Sequence, residues 1–155
     1  MSSIIKILRN GLWGALLATA APALPSDLDQ APRTVLTVIS ASGKQTFSIW
    51  HAKTESQQRQ GLMFVRDLPQ DQGMLFVSET PRPWSMWMKN TYISLDMLFI
   101  NQKGQVVGIF ENTRPFSLTQ LSLPMPVLAV LELRGGEVSR RGIHTGDRVL
   151  HEVFK

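Results

Sequence analysis

The chain has 155 residues, 43% of them apolar, a formal net charge of +4 and no cysteine. The missing cysteine excludes disulfides, thiolate metal sites, a cysteine nucleophile and a lipid-bearing N-terminal cysteine. Two of the basic residues, Lys6 and Arg9, sit in an N-terminal leader, and without them 14 basic side chains face 12 acidic ones with no basic run, so nucleic acid is not an expected partner.

Residues 1–23 have the form of a secretory signal peptide. A basic start is followed by a small, apolar stretch and by two A-x-A patterns, Ala18-Thr19-Ala20 and Ala21-Pro22-Ala23. Cleavage after Ala23, or after Ala20, is expected. The apolar run falls short of the roughly 20 residues that span a bilayer. The mature chain is therefore expected in the periplasm or outside the cell, not as an integral membrane protein. Residues 24–33 read as a flexible mature N-terminus and 34–155 as a single β-sandwich domain.

Residues 34–40 (TVLTVIS) are β-branched and strand-like. Ser42-Gly43-Lys44 forms a turn, and residues 45–52 alternate, which predicts a hairpin. Thr54 and Gln57 match a capping box and Gly61 a C-terminal stop. Together they predict one short helix over about 54–61, too short to stand without docking on a sheet. Residues 62–66 suggest an edge strand and 74–77 another strand. Asn101 to Gly104 closes a hairpin, and residues 111–126, with three prolines, form a long binding loop or lid. Residues 127–133 are a core strand bearing Glu132. One helical turn over 137–141 and a last strand over 149–154 complete the chain. Many short strands with turn signals predict a mainly β fold, a jelly-roll-like sandwich or barrel.

The densest stretch is residues 73–100, GMLFVSETPRPWSMWMKNTYISLDMLFI. In an extended chain Trp84, Met86 and Met88 share one face, wholly apolar, while Ser85, Trp87 and Lys89 share the other. Asn90 tolerates left-handed backbone and marks a sharp turn. Asp96 interrupts an apolar strand and must be paired if buried. Donors are expected from Lys89, from the amides of Asn90 or Thr91, or from Arg82. Arg59, in the last turn of the short helix, either serves the helix dipole or points into a site.

His51, His144 and His151 lack metal-ligand spacing along the chain, and no metal or cofactor is expected. No serine elbow, phosphate loop or H-E-x-x-H motif is present. Six methionines of the mature chain, Met63, Met74, Met86, Met88, Met97 and Met125, raise the question of Cu(I), but Met86 and Met88 fall on the presumed core face, where methionine fills gaps. A small polar ligand or glycan, stacked on Trp87 beside Lys89 and Asn90 with Arg59 or Glu132 in reach, suits the residues better.

The words QRQGLMF (58–64), GMLF (73–76), WMKNTYISLDMLFI (87–100), VLEL (130–133) with Gly135, and G-x-x-x-G-D (142–147) resemble the bacterial and archaeal domain of unknown function 192 family over roughly residues 34–154. The resemblance implies a mainly β, jelly-roll-like fold with a short helix, often exported, and no established activity. Carried over position by position, the family's characteristic polar residues fall on Arg59, Lys89, Asn90, Asp96 and Glu132. The leading expectation is a non-enzymatic binding or accessory domain of the cell envelope, working through the groove beside the WMKNT segment. The alternative is an enzyme acting on an envelope polysaccharide with Asp96 and Glu132 as its acid/base pair, which requires the two carboxyl groups to converge at roughly 5–10 Å in an open cleft.

Overall fold

The structure, a computed structural model, describes residue 28 and residues 30–154. The expected signal peptide lies outside the described residues. The described residues form nine strands and two short helices: β1 (Arg33–Ser40), β2 (Gly43–Ala52), α1 (Glu55–Gln60), β3 (Gln72–Arg82), β4 (Ser85–Met86), β5 (Leu95–Ile100), β6 (Val106–Phe110), β7 (Leu121–Ser122), β8 (Val127–Arg134), α2 (Glu137–Arg141) and β9 (Arg148–Leu150). Seven strands make one sheet in the order β6-β5-β8-β3-β2-β1-β9, and β4 pairs with β7 in a small second ladder. All neighbours are antiparallel except β2 and β3, whose connection carries α1.

The sheet curls until its edges meet. Gln105 bridges Arg148, the Val106 N–H donates to the Asp147 carbonyl at 2.9 Å, and the Val149 N–H donates to the Gly104 carbonyl at 2.7 Å. Pairing the edges in this way removes unsatisfied strand backbone. The mainly β expectation holds, as one curled, half-barrel sheet with two short helices.

Strand alternation divides the core in two. Leu36, Val38, Phe47, Ile49, Leu75, Leu98 and Leu131 fill the concave interior. The opposite face of the central strands buries Trp50, Met74, Phe76, Met97, Phe99 and Val130. That second face is covered by the segments between strands: Leu62, Val65 and Leu68 after α1, and Trp84 and Met88 before β5. Residues 62–66, expected as an edge strand, are turns instead, because they serve as this lid. Leu28 and Ala31, expected in a flexible arm, are buried against the same face. The last strand stops at Leu150, and residues 151–153 turn away.

Asp96 belongs to the interior. It is fully buried, and its Oδ1 accepts from the Asn112 N–H at 2.8 Å while its Oδ2 accepts from the Val138 N–H at 2.9 Å. Its donors therefore come from the segment after β6 and from the first turn of α2, not from Lys89, Arg82 or the amides of Asn90 and Thr91. The carboxylate ties two distant chain segments together across the end of the sheet.

Candidate functional site

Alternation along β8 places Leu131 and Leu133 inside the barrel and Val130 and Glu132 on the opposite, covered face. Glu132 stands in register between Met74 of β3 and Met97 of β5, two residues of the apolar outer core. It is 4% exposed, and its Oε2 has no hydrogen-bond partner among the described residues. Burial in these surroundings pushes its carboxyl up to about 8. A buried acid held neutral can donate a hydrogen bond where an ionised one can only accept.

Above Glu132 lies α1. Its capping box forms as expected: the Gln57 N–H donates to Thr54 Oγ1 at 3.2 Å, and Gln57 Oε1 accepts from the Thr54 N–H at 3.0 Å. Gln58 fastens the helix to the sheet, its Nε2 donating to the carbonyls of Ala52 at 3.2 Å and Val77 at 2.9 Å. Gly61 ends the helix at φ 51°, and a Cβ there would lie 3.2 Å from the Phe76 ring. Only glycine lets the chain turn so close to that ring without strain.

The other wall is the turn that follows β4. Asn90 takes the left-handed backbone expected of it, φ 53°. The turn is stitched to both neighbours: the Phe64 N–H donates to the Asn90 carbonyl, and the Met88 N–H to the Ser117 carbonyl, each at 2.9 Å. The expected alternation also holds. Trp84 and Met88 are buried, whereas Trp87 is 47% exposed, with the Lys89 Nζ 5.2 Å from its ring centroid.

Between these walls runs a groove of about 730 Å³, lined among others by Arg59, Arg82, Trp84, Trp87, Lys89 and Asn90. A smaller recess of about 40 Å³ shares Arg59, Trp87 and Lys89 with the groove and ends on Gln60 and Glu132. It has room for a few water-sized groups. Gln60 Nε2 at its wall is buried and, like Glu132 Oε2, has no partner among the described residues. Among the described residues three cations line the groove against one acid, Glu55, which pairs with Arg59 at 2.9 Å on the exposed rim. That rim pair is too solvated to hold Arg59 firmly.

Arg59, Trp87, Lys89, Asn90 and Glu132 thus surround one groove and its recess, while Asp96 does not. Asp96 pairs with Leu133 and Met97 with Glu132 in the β5–β8 register, and directly opposed residues share a face. The two carboxyl groups therefore point to opposite faces, and the acid/base pair of the enzymatic alternative is not formed. Sequence reasoning missed Gln58, Gln60, Arg82 and the buried Trp84 as site residues. The only signal for Gln60 was a polar residue directly before Gly61 in QRQGLMF. Of the methionines considered for copper, Met74, Met88 and Met97 are core, Met63 and Met86 line the groove, and Met125 is exposed.

Fold and site together define a small, mainly β domain with an aromatic, cationic groove and, adjoining it, a small recess lined by a buried carboxyl. The chain belongs to the domain of unknown function 192 family, whose profile, described as "Uncharacterized ACR", matches residues 37–151. It is similar to a protein of Sinorhizobium meliloti 1021, described as a presumed transcription regulator, with 42% identity, a TM-score of 0.75, and coverage of 77% of this chain and 94% of that one. It is also similar to a protein of unknown function from Novosphingobium aromaticivorans DSM 12444, with 37% identity, a TM-score of 0.78, and coverage of 86% and 94%. No curated protein matches the chain.

Proposed function

We propose that this protein is an exported binding or accessory domain whose groove takes a small acidic saccharide of the cell envelope. The observation that carries the reading is the convergence on one groove of a half-exposed indole, an excess of cations and a recess ending in unpartnered polar atoms. Its volume lies within the range of small-molecule sites. A sugar ring stacks on Trp87, its carboxylate meets Lys89 and Arg59, and a hydroxyl or acetamido group enters the recess toward Gln60 and Glu132. Four of the five polar positions singled out by the family resemblance, Arg59, Lys89, Asn90 and Glu132, line this space.

Export rests on the leader at residues 1–23. Among the described residues no helix is long and apolar enough to cross a membrane. The regulator description belongs to the Sinorhizobium relative, and a mature chain with 14 basic against 12 acidic side chains gives no support for carrying it over.

Titration with N-acetylmuramic acid and muropeptides, followed by tryptophan fluorescence, tests the reading. A saturating response is expected, stronger than that to neutral N-acetylglucosamine. Trp87→Ala is expected to weaken it at least about tenfold, since a stacked aromatic is a typical anchor. Lys89→Ala is expected to erase the preference for the acidic sugar. An absent response to every saccharide, or a response that survives Trp87→Ala unchanged, refutes the proposal.

A further inference from the structure

A second cluster lies away from the groove, where β1 is flanked by β2 and β9. His51, the penultimate residue of β2, is 6% exposed, and its Nδ1 is buried with no hydrogen-bond partner among the described residues. His151 follows the last residue of β9 and meets the His51 ring edge-on, with centroids 5.6 Å apart. Glu152 is next in the chain. One ligand atom from each of His51, His151 and Glu152 lies within 4.8 Å of the others. The separation of 100 positions between the histidines hides this from the sequence. Antiparallel pairing of β1 with both β2 and β9 brings them together.

We infer that His51, His151 and Glu152 form a binding site for a divalent transition-metal ion of the zinc type. Two imidazoles and one carboxylate are a ligand set that zinc accepts, with water completing the shell. The buried orphan nitrogen of His51 supplies the second, independent sign, because an imidazole nitrogen so enclosed needs a partner. Thr34 gives the support expected around such a ligand: its hydroxyl lies 3.0 Å from His151 Nε2 and fixes the ring. His151 Nδ1 is engaged only by a long 3.4 Å contact from the Val153 N–H. The charged groups facing the pair are Lys53, which opposes a cation, and Glu152, which offsets it. The site is independent of the groove and stands whether or not the groove binds a saccharide.

Titrating the untagged protein with Zn²⁺ by calorimetry, together with melting scans in the presence and absence of the ion, tests the site. One saturable equivalent and a raised Tm are expected. His151→Ala, at a half-buried position that tolerates truncation, is expected to weaken binding at least about tenfold and to remove the Tm increase, and His51→Gln to do the same. Glu152→Gln should weaken binding less. His144, which sits in an exposed turn with its Nδ1 3.0 Å from the Gly142 carbonyl, is the control, and His144→Ala should bind as the unaltered protein does. Absence of a saturable one-to-one site, full affinity in His151→Ala, or an equal loss in His144→Ala overturns the inference.

Discussion

Asp96→Ala is expected to cost the folded protein roughly 2–4 kcal/mol, most of it from the buried N–H donor left without an acceptor. The side chain is fully buried and accepts two short backbone hydrogen bonds, from Asn112 and Val138. Truncation strands the buried Val138 N–H, at a cost on the order of 1–3 kcal/mol, and removes the acceptor of the part-buried Asn112 N–H, which water partly replaces at a smaller cost. Asp96→Asn keeps one acceptor but turns an amide N–H toward a backbone N–H, so it should fall between the two, losing about 1–3 kcal/mol. Urea melts followed by circular dichroism measure both. Equal and negligible losses would mean that the two segments are held by something other than this carboxylate. Saccharide binding by the folded fraction of either variant should be little changed, because Asp96 faces away from the groove.

Glu132→Gln is expected to leave stability nearly unchanged at pH 5 and to make the protein more stable than the unaltered chain at pH 9. The Glu132 carboxyl is pushed up to about 8 by burial, against an ordinary value of 4.5. Between those values the unfolded chain has released its proton while the folded protein retains it, so stability attributable to this group falls as pH rises. Below the lower value both states are protonated and the group contributes no slope. Above the upper value both are ionised and the cost is constant. The full difference is on the order of 3–5 kcal/mol at 1.36 kcal/mol per unit of pKa. Comparing the two proteins in urea at pH 5, 7 and 9 isolates Glu132 from every other titrating group. Parallel pH profiles would show that the carboxyl is not held neutral. The same protonation bears on the groove: near neutral pH Glu132 offers a proton to a ligand hydroxyl or carbonyl, and that contact should be lost as pH passes about 8.

Much of this was legible in the residues themselves because it is set locally. The capping box at Thr54 and Gln57, the left-handed turn at Asn90 and the alternation from Trp84 to Lys89 depend on neighbours a few positions away. The partners of Asp96 were not legible. An apolar strand containing a carboxylate demands donors, and the nearest polar residues in sequence are the natural guess. The actual donors come from positions 16 and 42 residues further along, through loops whose path no local pattern fixes. The same limit hid the opposite facing of Asp96 and Glu132, since each is visible alone but their registry is a property of the sheet. It also hid Gln60, Trp84 and the meeting of His51 with His151. Residues 62–66 misled for a different reason. A short apolar run looks the same whether it pairs as a strand or lies over a core as a lid.

The central claim is that the groove between α1 and the Trp87–Asn90 turn is a binding surface. Its most direct measurement is the shift of tryptophan indole N–H resonances on titrating ¹⁵N-labelled protein with N-acetylmuramic acid. Trp84 and Trp87 line the groove, whereas Trp50 lies on the same covered face outside it, under the Arg33 guanidinium. Saturable shifts of the Trp87 and Trp84 indoles with Trp50 unmoved are the predicted result. Indoles that all stay in place, or a Trp50 signal that moves while Trp87 does not, would contradict it.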